Sequence, residues 1–116
     1  MTFRRWDVVA VPFPFIEGYE AKRRPALVVS TDEFHRAHDA CFAAMITTAR
    51  NMQDVRADDI EIRDLSKTGL RQAQACVIRL ARLTSLDGSS QIRRIGTLGP
   101  QERRAVLGLL KRWLTA

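Results

Sequence analysis

Only one stretch of this chain repeats its apolar residues at helical spacing over several turns: Val106, Leu107, Leu109, Leu110, Trp113 and Leu114. Gly99-Pro100 precedes it, and proline at the first helical position costs nothing, because an N–H there has no intrahelical partner. The apolar face is too wide to stay in water and needs a sheet to lie on. Upstream, apolar residues come as short β-branched runs divided by turn residues. The pattern therefore predicts a mainly β chain followed by one long helix.

Asp7 to Phe15 reads as the first strand, with Val9, Val11, Phe13 and Phe15 on one face and Val8, Ala10, Pro12 and Pro14 on the other. Its prolines assign the far end to a sheet edge, since proline cannot donate to a ladder. A polar loop around Gly18 leads to a second strand over Pro25 to Ser30. Thr31 is a fitting N-cap, with Asp32 and Glu33 in the first turn, so a short helix is expected over Asp32 to His38. Cys41 to Thr48, Asp59 to Arg63 and Ala75 to Leu80 read as further strands, and Leu83 to Leu86 with Gln91 to Ile95 as a closing hairpin around Gly88. The sum is a bent antiparallel sheet or small barrel with a short helix and a C-terminal helix. At 116 residues this is one domain, 1–116, because two halves would each have a marginal core.

The apolar run Cys41 to Ile46 is far below the ~20 residues that span a bilayer, and no signal-like segment follows Met1, so a cytoplasmic protein without a membrane role is expected. Cys41 and Cys76 have no metal-ligand spacing and sit in apolar stretches, which reads as two buried free thiols. His35 and His38 could share a metal at i, i+3, but no third ligand lies nearby, so they read as surface histidines.

Charge narrows the partners. The net charge is +6, and of 19 cations 16 are arginines, the side chain whose planar fork matches phosphate. Residues 71–116 carry nine cations against two carboxylates, whereas residues 37–70 carry four against six. A polyanion is one reading of that surplus, and a solvated basic surface is the other. No P-loop, G-x-G-x-x-G, G-x-S-x-G or H-E-x-x-H motif is present. The segment Lys22-Arg23-Arg24-Pro25 is more informative. Pro25 restricts Arg24 to extended geometry at the start of a buried strand, which either preorganises a cation or merely ends a solvated loop. Thr47 and Thr48 end an apolar strand, where β-branched residues also occur for packing alone.

The order of these pieces resembles the MazF/PemK family of toxins. It runs from Asp7-Val8-Val9-Ala10-Val11-Pro12-Phe13-Pro14-Phe15 through Gly18-Tyr19-Glu20 to Arg23-Arg24-Pro25-Ala26-Leu27-Val28-Val29-Ser30. Then come Ala44-Met45-Ile46-Thr47-Thr48, Gly69-Leu70 and Ile95-Gly96-Thr97-Leu98 before the terminal helix. The resemblance implies an SH3-like barrel that forms a homodimer and acts, without cofactor or metal, as a sequence-selective endoribonuclease on single-stranded RNA. It also implies a cognate antitoxin, acidic and partly disordered when free. By position, Arg24 matches the catalytic arginine before proline, Thr47 the threonine ending the third strand, and Glu20 a loop glutamate, here one residue closer to the arginine. Lys22, Arg23, Tyr19 and Thr48 complete the expected RNA-binding set, with Tyr19 as base-stacker. Phe13 and Phe15 are expected in the core, and Trp113 in the core or a dimer interface.

The sequence departs from the family's pattern in three places. Trp6 replaces a glycine usual before the first Asp, so a changed strand entry is expected. Arg71 to Cys76 lacks a usual Pro-Ser, and Gly99 stands where a Ser N-cap is usual. Two other function classes fit the same residues: a non-catalytic toxin of this fold that inhibits a topoisomerase, and a nucleic-acid-binding SH3-like module.

Overall fold

Asp7 is buried where the first strand begins, and its carboxylate accepts from the Arg4 amide at 2.7 Å and from Arg94 Nε at 3.0 Å. The structure, a computed structural model, describes residues 3–12, 23–49, 55–71, 75–88 and 92–115. In chain order the elements are β1 (Asp7–Pro12), β2 (Arg23–Val28), α1 (Asp32–His38), β3 (Ala40–Ala49), β4 (Ile60–Glu61), β5 (Ala75–Asp87), β6 (Arg93–Thr97) and α2 (Pro100–Leu114). The strands form one antiparallel sheet in the order β4-β5-β3-β2-β1-β6. β6 pairs with β1 as far as Ala10, so among the described residues the far end of β1, with Pro12, has β2 alone as strand neighbour, which is where a residue without an N–H is tolerated.

Alternation sorts the apolar residues onto two buried faces. Val8, Leu27, Val29, Ala44, Ile46, Ile78 and Leu80 form one core, which Leu98 and Val106 complete. Phe3, Val9, Val11, Ala26, Val28, Cys41, Ala43 and Leu86 form the other. The faces of β1 follow the expected parity, but both are buried at Val8, Val9 and Val11. Phe13 and Phe15 lie outside the described residues.

Caps set both helices. Thr31 Oγ1 accepts from the Phe34 amide at 3.2 Å, and Asp39 ends α1 in the left-handed region at φ 46°. Gly99 is the N-cap of α2 without a side-chain bond, and Pro100 follows it as predicted. Trp113 is 42% exposed, so it is not part of the core.

Three expectations are corrected. First, residues 75–87 form one strand rather than two, and the hairpin of Leu83–Leu86 with residues 91–95 does not form: β5 lies between β4 and β3, while β6 pairs with β1 across the sheet. The β3–β5 register shifts between Ala44, which faces Leu83, and Met45, which faces Arg79, so residues 80–82 are an insertion on the β5 side of the ladder, the kind of irregularity that bends the strand carrying it. Gly88 serves packing instead of a hairpin tip: its amide donates to the Asp39 carbonyl at 2.8 Å, and a Cβ there would overlap the Asp39 carboxylate. Second, His35 is buried, not on the surface. Its Nε2 meets Ser30 Oγ at 2.6 Å, and the Phe3 ring packs edge-on at 5.3 Å. Third, the strand entry does not avoid a glycine-type backbone. Trp6 takes φ 74°, held by its amide on the Val28 carbonyl at 2.8 Å, by its carbonyl accepting from Leu98 at 2.9 Å, and by the Arg5 guanidinium 4.7 Å over the ring.

Candidate functional site

Pro25 has no N–H, and the β2–β3 ladder ends beside it, at the Ala26↔Met45 pair. Continued by two residues, that register sets Arg24 opposite Thr47. β1 holds the other side of Arg24 through the Val11↔Arg24 pair, and β5 holds Thr47 and Thr48 opposite Val77 and Cys76. Each residue is thus held by a ladder on one side and faces the gap between β2 and β3 on the other, which fixes its backbone better than a loop would.

Where the ladder stops, a cavity of about 380 Å³ opens between the strand ends. Arg24 and Pro25 line it from β2, Met45 to Thr48 from β3, Cys76 from β5, and Leu70 and Arg71 from the preceding loop. Arg24 and Thr48 are exposed and Thr47 half-buried. Among the described residues, the Arg24 guanidinium makes no hydrogen bond or ion pair. By contrast, Arg79 and Arg94 are each held by a carboxylate, at 2.9 and 3.0 Å. An exposed cation beside a hydroxyl, over an apolar floor, can bind an anionic oxygen and donate to it from a defined direction.

The thiols take no part in this. Burial pushes the Cys76 thiol up from its ordinary value and that of Cys41 to about 12, so both stay protonated and poorly nucleophilic. Neither is in a disulfide, as the apolar spacing predicts.

Of the expected site residues, Arg24, Thr47 and Thr48 come together, and Arg23 stands exposed one residue before Arg24, paired with Pro12. Tyr19, Glu20 and Lys22 lie outside the described residues. The sequence reading missed Arg71, Leu70 and Met45 as cavity residues. One signal for the first two was Gly69, which takes φ 74° with its missing Cβ directed at the Ile95 carbonyl. Among the described residues no group of three or more His, Cys, Asp or Glu is arranged to hold a metal.

Residues 4–114 match the family of PemK-like, MazF-like toxins of type II toxin–antitoxin systems. The chain belongs to this family. Among solved structures, this toxin is similar to MazF from Deinococcus radiodurans, with 18% identity and a TM-score of 0.72 over 97% of this chain and 96% of that one. It is also similar to the MazE–MazF structure from the same organism, with 19% identity and a TM-score of 0.68 over 97% and 94%. A third is an endoribonuclease in complex with its cognate antitoxin from a mycobacterial species, with 19% identity and a TM-score of 0.69 over 97% and 95%. At these identities the likeness carries the fold. No curated protein matches the sequence. No helix among the described residues of the toxin is long and apolar enough to cross a membrane.

Proposed function

We propose that this toxin is an endoribonuclease that cuts single-stranded RNA without a metal, using the RNA's own 2′-hydroxyl as nucleophile. The observation that carries the reading is the pair of Arg24 and Thr47 from adjacent strands at one cavity, with no carboxylate among the described residues neutralising the arginine. In the reaction the 2′-hydroxyl gives its proton to a base, O2′ bonds to phosphorus, the P–O5′ bond breaks, and O5′ takes a proton. The products are a 2′,3′-cyclic phosphate and a 5′-hydroxyl.

The phosphorane carries more charge on its non-bridging oxygens than the starting diester. Arg24 therefore stabilises the transition state more than the ground state, and Thr47 donates a hydrogen bond to one of those oxygens. A guanidinium binds its proton too tightly to serve as a base at neutral pH, so its part is electrostatic. Glu20 is the carboxylate assigned to proton transfer. Arg23, Lys22, Thr48 and Tyr19 bind the strand, the first two by charge and Tyr19 by stacking.

The toxin acts as a homodimer. Trp113 and Leu114, 42% and 69% exposed at the end of α2, supply apolar area for the contact. Its cognate antitoxin covers the basic site with an acidic segment that orders on binding, and this arrests toxicity. The mycobacterial neighbour is an endoribonuclease in complex with its cognate antitoxin.

The test is incubation of purified protein with mixed RNA in excess EDTA, alongside the Arg24→Ala variant. Fragments ending in cyclic phosphate from the wild type, and their absence from the variant, support the reading. A mobility shift without fragments overturns it in favour of a binding module, and neither result in favour of a protein-binding inhibitor.

A further inference from the structure

Two arginines line the cavity, and only Arg24 has a task so far. Arg71 lines it from the segment between β4 and β5, together with Leu70. That segment is held by four constraints within a few residues. Thr68 is fully buried, and its hydroxyl donates to the Leu65 carbonyl at 2.8 Å and accepts from the Leu70 amide at 3.2 Å. The Lys67 carbonyl accepts from the Thr97 amide of β6 at 2.8 Å. Gly69, at φ 74°, lies against the Ile95 backbone where a Cβ would overlap, and Gly96 lies in the same way against the Thr68 backbone. The loop is therefore locked onto β6, and Leu70 packs against the core beneath the cavity.

The head group at the end of this rigid mount is exposed. Among the described residues, it makes no hydrogen bond or ion pair, unlike Arg79, Arg94 and Arg103, whose guanidiniums are bound to Asp59, Asp7 and the Leu98 carbonyl. The cavity's 380 Å³ is far beyond the ~30 Å³ that a water molecule occupies in the liquid and falls in the range of sites that hold a small organic ligand. One phosphate at Arg24 leaves most of it empty. Pro25, Met45 and Leu70 add apolar lining suited to the sugar and base of one nucleotide, and a second cation on the same lining is available to the next phosphate.

We propose that Arg71 is a second phosphate-binding residue, holding the phosphate next to the scissile one across the cavity from Arg24. It thereby sets RNA affinity without taking part in the chemical step. The identity of the ligand rests on the nuclease reading above.

Binding is measured by fluorescence anisotropy with a labelled mixed-sequence oligonucleotide that carries 2′-deoxyribose throughout and so lacks the attacking hydroxyl. The full-length protein is titrated at several salt concentrations, and cleavage of the matching RNA is followed in parallel. Loss of one phosphate contact makes the slope of log affinity against log salt shallower by about 0.7. For Arg71→Ala the expected result is that change, with a KM about fivefold higher and a kcat within about twofold of the parent. Arg71→Lys keeps the charge and restores the slope. Circular dichroism confirms that both variants are folded.

Wild-type affinity and slope in Arg71→Ala overturn the proposal. So does a loss confined to kcat, or an altered cleavage sequence at unchanged slope, which makes Arg71 a base reader. If the wild type cuts no RNA, the nuclease reading falls, while the salt slope of oligonucleotide binding still decides on Arg71. A wild type that binds no oligonucleotide overturns the proposal as well.

Discussion

The two ends of β2 carry polar groups of similar kind and treat them in opposite ways. Just past its C-terminal end, Ser30 and His35 are buried together. Ser30 Oγ lies 2.6 Å from His35 Nε2 and accepts from the Phe42 amide at 2.9 Å, while Asp32 stands 3.5 Å from His35 Nδ1 and accepts from the Arg5 amide at 2.9 Å. At the N-terminal end, Arg24 and Thr47 face a cavity. The serine, histidine and aspartate look like a catalytic set by residue type, yet their bonds join α1, β3 and the N-terminal segment to one another. Around Arg24 and Arg71, polar groups converge on empty space. What separates the two ends is that one set is buried and bonded to neighbouring segments, with His35 Nδ1 left without a hydrogen-bond partner beside Asp32, whereas the other opens onto a cavity, and residue type alone does not reveal it.

The largest expected effect falls on the open end. Arg24→Ala should lower the cleavage rate by about 10²-fold or more, with Arg24→Lys retaining slightly more because it keeps charge but loses the planar fork. Circular dichroism and dimer mass should match the parent. A variant that cuts within about threefold of the wild type would remove the distinction drawn between the two ends.

Next is the loop that carries Arg71. Gly69→Ala forces a side chain into a left-handed backbone and into the Ile95 carbonyl, and should cost about 3 kcal/mol in a urea titration. An unchanged midpoint would show that the loop is not locked.

The closed end should report itself through pH. Burial holds the His35 pKa below its ordinary 6.5, outweighing the opposing pull of Asp32 and Asp7. The unfolded chain then binds the proton more readily than the native one. The His35 contribution is complete above about pH 6.5 and is lost as pH falls below it toward the lower native value, at up to about 1.4 kcal/mol per pH unit. His35→Gln, which keeps a polar atom for Ser30 without a titrating one, should flatten that part of the stability profile measured from pH 7 to 5. If the two profiles run parallel, His35 is not the group responsible.

The smallest effect belongs to Arg23, exposed at the strand start. Arg23→Ala should raise KM about twofold and leave kcat intact, a difference that disappears at high salt because it is long-range attraction alone. A loss comparable to that of Arg24→Ala would move the catalytic cation by one residue.

Much was legible before any fold was known, and always where the cause is local. The Thr31 cap, the acidic first turn and the bounds of α1 follow from side chains that bond to their own backbone within a turn, and the Gly99-Pro100 start of α2 follows from proline geometry. Pro25 restricts Arg24 through the covalent chain itself, so the arginine proposed to stabilise the transition state differs from its neighbour already in sequence.

Tertiary structure decided the rest, through contacts between residues far apart in the chain. Gly88 was a sound local hairpin signal, but β5 found a longer partner in β3, and the ladder from Ala40↔Asp87 to Ala49↔Ala75 outweighed it. His35 is polar and its sequence context alone predicts exposure, yet the Ser30 contact and the Phe3 ring hold it in the interior. Trp6 kept a conformation that its own side chain disfavours, because Val28 and Leu98 hold its backbone from both sides. Arg71 carries no motif of its own; it joins the cavity because β6, more than twenty residues later, clamps the loop that bears it. Local rules act through covalent geometry and one helical turn, whereas register, burial and the convergence of two arginines depend on which distant strands pair, and that is settled only by the packing of the whole sheet.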